Sequence, residues 1–194
     1  LEQGFTVLID LAYQGMGSGL VEDVQGLRLM ASRLGELIVA ASCSKNLGLY
    51  RERTGVALFF GRDTQSAAAT QSHGLGAARR VYSMPPAHGA LLAGRVLSDP
   101  ELRSSWEREL EHVCGRMISL RRQLSEKLSA KTDQDFSFIA GEKGMFSFLG
   151  LSVEQAKGLR QTHGLYMLDS SRINVAALNA DNMDKVVAAV ASAL

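Results

Sequence analysis

Cysteine occurs twice in 194 residues, proline three times and tryptophan once. Two thiols, Cys43 and Cys114, are too few for a disulfide framework, which a chain of this length does not need; the expected setting is reducing and cytoplasmic. No charge of one sign dominates, since 21 Lys and Arg against 20 Asp and Glu leave +1. That balance gives neither the basic footprint of a nucleic-acid binder nor a polybasic membrane surface. Long apolar runs are missing too: residues 37–41 and 186–194 fall far short of the ~20 needed for a membrane span. There is no G-x-x-x-x-G-K-[ST] and no complete G-x-G-x-x-G. His73, His88, His112 and His163 fall in no metal-ligand spacing, so no metal is expected.

What is present is an ordinary globular composition, 46% hydrophobic and 21% charged, enough for one large or two small domains. Residues 6–10, 36–41 and 55–60 are apolar, β-branched-rich runs that read as buried strands. Residues 24–34 between the first two carry apolar side chains at helical spacing, which makes a βαβ unit with parallel strands. Residues 64–80 and 87–97 read as helices. D-P-E at 99–101 is a helix start. From there Leu102, Trp106, Leu110, Val113, Met117, Leu120, Leu124 and Leu128 recur every three or four residues, predicting a helix over about 100–130, roughly 45 Å long. A domain boundary is placed within it, dividing residues 1–112 from 113–194. Beyond it the pattern is α+β. Strands are expected at 136–139, 144–150, 165–168 and 172–176, a capping box at Ser152 and Gln155, a helix end at Gly164, and a last helix capped by Asn179.

Chemistry concentrates at residues 42–55, S-C-S-K-N-L-G-L-Y-R-E-R-T-G. A lysine at the carboxyl edge of a sheet stands where open α/β sheets bind ligands. Its amine is suited to attack a carbonyl and form a Schiff base; the hydroxyls and Arg53 suit a phosphate. The segment closely resembles the lysine segment of the class I pyridoxal-phosphate aminotransferases, in the aspartate and aromatic-amino-acid branch. Four other stretches resemble that family in the same order: D-L-A-Y-Q-G-M-G-S-G at 10–19, R-R-V-Y-S-M-P-P-A-H-G-A at 79–90, G-M-F-S-F-L-G-L at 144–151 and S-R-I-N-V-A-A-L at 171–178.

The resemblance implies an α/β fold. Part of a fold-type I large domain, with a mostly parallel sheet, would be followed by a smaller α+β C-terminal domain. It implies pyridoxal 5'-phosphate as cofactor, and an amino acid and a 2-oxo acid such as 2-oxoglutarate as substrates of a ping-pong amino-group transfer. Lys45 would hold the cofactor as a Schiff base and move the substrate's proton. Asp10 would pair with the pyridine nitrogen, and Tyr13 would donate to the phenolic oxygen. Ser42, Ser44 and Arg53 would hold the phosphate. Arg172 would fork the α-carboxylate, geometry a lysine cannot copy. Arg79 would take a distal carboxylate across a homodimer with shared sites, and Phe146 would line the pocket. Aspartate and aromatic amino acids are held equally as substrates.

The resemblance covers only the second half of the family's length, and with the start at Leu1 this is read as a cut. The 194 residues alone are then expected to be unstable and inactive. Two other readings stay open: a non-catalytic fragment that only packs against a partner, and a serine acyl-enzyme built on the S-x-x-K at 42–45. The latter lacks S-D-N and K-T-G.

Overall fold

The computed structural model describes residues 4–194. The chain forms two compact units, Leu1–Glu111 and His112–Leu194.

In the first unit, β1 (Val7–Leu11), β2 (Leu37–Ser42) and β3 (Gly55–Phe60) form one sheet in the order β1-β2-β3. β1 and β2 are parallel, with Asp10 opposite Ala40, and α1 (Gln25–Arg33) carries the crossover. β3 returns antiparallel, with Ser42 opposite Gly55. Residues 43–54 contain no helix, so they make no crossover of the kind a parallel third strand needs. The three-stranded sheet is therefore mixed. Three helices follow. α2 (Thr64–Tyr82) is capped by Asp63, which accepts from the Ser66 amide at 2.7 Å. α3 (His88–Ser98) leads to α4 (Pro100–Lys131), whose 32 residues match the predicted long helix. Asp99 caps α4 as the D-P-E pattern requires, accepting from the amides of Glu101 and Leu102 at 3.0 and 3.2 Å.

The second unit holds the main core. Leu120, Leu124 and Leu128 of α4 pack in one buried cluster with Phe136, Ile139, Leu149, Leu151, Ala156, Leu159, Val175 and Val190. Around them lie α5 (Phe138–Gly141), β4 (Phe146–Phe148), α6 (Val153–His163), β5 (Arg172–Asn174) and α7 (Met183–Ser192). The Ser152–Gln155 capping box opens α6, and Gly164, at φ 62°, closes it. β4 and β5 pair antiparallel, with Phe148 opposite Arg172. Asn179 accepts from the amides of Asp181 and Asn182 in the turn that enters α7.

Two expected strands are not strands. Residues 136–139 meet no strand partner among the described residues. The Phe136 carbonyl accepts from Ser125 Oγ at 2.9 Å, and its amide donates to Ser129 Oγ at 3.1 Å. Local turns bond Ile139 to Phe136 and Ala140 to Ser137, so the backbone is satisfied as the short helix α5. Residues 165–168 are likewise bonded locally. The Leu165 amide donates to the Leu159 carbonyl, the Met167 carbonyl accepts from Arg160, and the Leu168 carbonyl accepts from the Ser171 amide. The expected strands at 144–150 and 172–176 shorten to three residues each, and Val175–Ala177 turns into a 3-10 helix. Among the described residues no helix is long and apolar enough to cross a membrane.

Candidate active site

Lys45 sits in the turn that leaves β2 at its carboxyl end. The turn is closed by Gly48 N–H to the Lys45 carbonyl at 3.2 Å and Leu49 N–H to the Cys43 carbonyl at 3.3 Å. Two long-range bonds fix the next residue. Asn46 Nδ2 donates to the Gln14 carbonyl at 3.4 Å, and the indole of Trp106 donates to the Asn46 carbonyl at 2.6 Å. The first ties the lysine turn to the loop after β1, which brings Lys45 Nζ to 4.7 Å from the Tyr13 ring centroid, within cation–π range.

That loop is itself held by a carboxylate. Asp23 accepts from the amides of Gly15 at 2.8 Å, Gly17 at 2.9 Å and Ser18 at 2.8 Å. Gly15 has φ 87°, and a Cβ there would stand 2.5 Å from Leu110 Cδ2, so only glycine fits. Asp23 carries no role in the sequence motifs, and Trp106 stands there only in the apolar stripe of the long helix. A capping acid just ahead of a helix was the available signal for the first. For the second it was the chain's single tryptophan, whose N–H needs a partner when half-buried.

Asp10 is the fourth residue of β1 and is exposed. Its partner Ala40 lies two residues before Ser42, so Asp10 and Ser42 share a sheet face. Ala40, Ala57 and Gly55 on the same face are small. Ser42 Oγ donates to Ser44 Oγ at 3.0 Å and accepts from the Ser44 amide at 3.1 Å. Ser44 is buried. Burial pushes the Cys43 thiol above its ordinary pKa, so it is no thiolate nucleophile at neutral pH.

Arg53 enters from the other side of the hairpin. Cys43 N–H bonds the Thr54 carbonyl at 3.0 Å. Arg53 itself has φ 51° and donates to the Tyr50 carbonyl at 2.9 Å. A non-glycine residue held left-handed is a strained position of the kind found at ligand clamps. The same loop explains Gly89, where a Cβ would fall 1.8 Å from Thr54 Oγ1. His88 beside it pairs with Glu52 at 2.9 Å.

The first unit thus brings together Lys45, Tyr13, Ser42 and Ser44, with Asp10 on the shared face and Arg53 on the adjoining loop. Arg79 is placed elsewhere, exposed in the last turn of α2, where its charge also complements the helix dipole. Arg172 and Phe146 belong to the second unit. There the Arg172 guanidinium lies 4.7 Å from the Phe146 ring centroid. Both border a cavity of about 510 Å³ whose walls include Tyr166, Leu168 and Val186. Ser171, just before Arg172, is buried at φ 62° and accepts from the Gly150 amide at 3.1 Å. Both arginine-bearing anion candidates, 53 and 172, are therefore at or next to a left-handed residue.

An amine beside a phenol, two linked hydroxyls, and a carboxylate on a sheet face of small residues form a donor set that fits pyridoxal phosphate; Arg53 is exposed on the adjoining loop. Known proteins agree. The sequence model for Aminotransferase class I and II matches residues 1–190. The aromatic-amino-acid aminotransferase of Paracoccus denitrificans is 48% identical over 186 residues, 95% of this chain and 47% of the relative. The aspartate aminotransferase of Escherichia coli (strain K12) is 43% identical over 195 residues, 100% of this chain and 49% of the relative. A solved aromatic amino acid aminotransferase with 3-indolebutyric acid superposes with TM-score 0.95 at 44% identity, covering 99% of this chain and 49% of that one. That of Burkholderia pseudomallei, covalently bound to pyridoxal phosphate, superposes with TM-score 0.94 at 39% identity, covering 97% of this chain and 48% of that one. The chain spans about half the length of the relatives it matches. Matched by that family model over residues 1–190, this chain belongs to the class I and II aminotransferases.

Proposed function

We propose that this chain is the lysine-bearing half of an aminotransferase that uses pyridoxal 5'-phosphate. The full-length enzyme moves an amino group between an L-amino acid, aspartate or an aromatic one, and a 2-oxo acid such as 2-oxoglutarate. The observation that carries this reading is the placement of the Lys45 amine at the carboxyl end of β2, over the Tyr13 ring and beside the Ser42–Ser44 pair.

When bound, the cofactor supplies an electron sink next to the substrate's Cα. Lys45 Nζ anchors it and then moves a proton to and from that Cα. Asp10 holds the ring nitrogen protonated, and Tyr13 donates to the phenolic oxygen. Ser42, Ser44 and Arg53 grip the phosphate with charge-assisted bonds. Arg172 forks the α-carboxylate against the Phe146 ring. Arg79 binds the distal carboxylate of a dicarboxylate substrate in the other subunit's site, which makes the enzyme a homodimer. Residues 1–112 serve as the cofactor-domain part and 113–194 as the small domain. The cytoplasmic setting rests on the two thiols.

The other reading, a fragment that only packs against a partner, draws on the exposed apolar side chains of the first unit, Leu75, Val81 and Met84 among them. Cofactor titration separates the two. With Trp106 bonded one residue from Lys45, its fluorescence is expected to quench as the visible absorption of bound cofactor appears. If neither signal develops in the full-length protein, the aminotransferase reading fails.

A further inference from the structure

Arg121 lies on α4 inside the second unit and is 2% exposed. Its guanidinium donates to five partners in one short stretch of chain. Nη1 reaches the Ile139 carbonyl at 3.3 Å and Glu142 Oε2 at 3.1 Å. Nη2 reaches the carbonyls of Lys143 at 3.4 Å, Gly144 at 2.9 Å and Phe146. Nε adds a bond to Gly144 at 3.3 Å. The buried Ser147 hydroxyl in turn donates to Glu142 Oε2.

Burying a cation is costly, and apolar side chains of similar volume often stabilise a core as well or better. What an apolar side chain cannot do is gather carbonyls from four residues in one plane; the guanidinium fork can. The gathered carbonyls run from Ile139 within α5 through the left-handed Gly144 to the first residue of β4. β4 in turn sets Arg172 of β5 twice: Phe148 is its register partner, and the Phe146 ring is the plane it stacks on.

We propose that Arg121 is a positioning residue for the Arg172 carboxylate fork. It pins the entry to β4 and so fixes the surface against which Arg172 is aimed. The proposal rests on Arg172 binding the α-carboxylate. Because that carboxylate is common to amino acid and 2-oxo acid, the effect appears in KM for both, with little change in kcat.

The test is a double-mutant cycle in the full-length enzyme, reading KM and kcat for an amino acid and a 2-oxo acid. Arg172→Lys is expected to raise both KM values by roughly 10- to 100-fold, the loss of a bidentate charge-assisted pair. Arg121→Lys keeps the charge and loses the fork. It is expected to raise both by about tenfold, with kcat within about threefold. In the Arg172→Lys background the same change should add no more than about twofold, because it acts through the missing fork. Glu142→Gln, a milder change that keeps the shape, is expected to raise both KM values about two- to fivefold; it carries the test if Arg121→Lys does not fold. Full multiplication of the two arginine effects would show that Arg121 acts elsewhere and would overturn the proposal. So would unchanged KM in both Arg121→Lys and Glu142→Gln. Unchanged KM in Arg172→Lys alone would instead remove the carboxylate reading, and this inference with it.

Discussion

At the scale of single residues, the two proposed substrate arginines differ in what surrounds them. Arg172 has a ring beneath it and a left-handed serine before it; Arg79 stands in solvent at a helix end. Replacing Arg79 with Ala is therefore expected to raise KM for aspartate by about 100-fold while changing that for an aromatic amino acid less than about fivefold, the loss of one charge-assisted pair for one substrate only. Equal effects on both substrates in steady-state kinetics would contradict that role. The lysine and the serines were legible in sequence because their motif is contiguous with the end of β2; Tyr13 belongs to a second motif, which runs on from β1. Asp23 and Arg121 were not, because their work is to bond backbone atoms. An acid accepting from three amides and a cation gathering carbonyls leave no spacing pattern, and a buried arginine inside an amphipathic helix reads as one more solvated charge.

At the scale of elements, caps were the most legible feature and short strands the least. Asp99, Ser152 and Gly164 each stand where the backbone needs them. Residues 136–139 and 165–168 show why short apolar runs mislead: the run says only that side chains are buried, and the backbone partner decides the conformation. At 136 that partner is a pair of serines on α4. Ser152→Ala, which removes one half of the capping box, is expected to cost about 1 kcal/mol. For a unit of this size that lowers its melting temperature by about 4–8 °C. An unchanged melting curve would show the box to be idle. A second prediction concerns acid. The Ser66 amide, with its hydroxyl, holds the Asp63 carboxyl below its ordinary range, and the Lys127 ammonium does the same for Asp184. A lowered folded-state pKa means the contribution is present above the unfolded value of about 4 and is lost as pH falls through the folded one. Circular dichroism should show helicity falling on acidification below about pH 4. Asp63→Asn, a neutral cap, should weaken that pH dependence; an identical acid profile would contradict the assignment.

At the scale of the whole molecule, the two units are unlike. His112–Leu194 closes a core around Leu124, Leu128, Ile139 and Val190. In the first unit the buried apolar residues are few, Leu37, Val39 and Leu110 among them, while Val81 is 79% and Met84 80% exposed. Apolar surface of that extent marks an interface or an aggregation hazard. The 194-residue chain on its own is therefore expected to exchange amide hydrogens rapidly in the first unit, to retain protection in the second, and to be catalytically silent. Uniform protection with transaminase activity would contradict this. Motif order across the chain made the family legible at this scale; what covers the exposed faces of the first unit was not, because unpaired apolar surface names no partner. The central claim is that Lys45 is the cofactor-bearing and proton-moving group, and the most direct measurement is the visible spectrum and transamination rate of the full-length enzyme with Lys45→Ala. Loss of the pH-sensitive visible band, with a rate fall of about 10⁴-fold or more from removing both the nucleophile and the proton carrier, is the predicted result. A retained band with near-normal turnover would contradict the account.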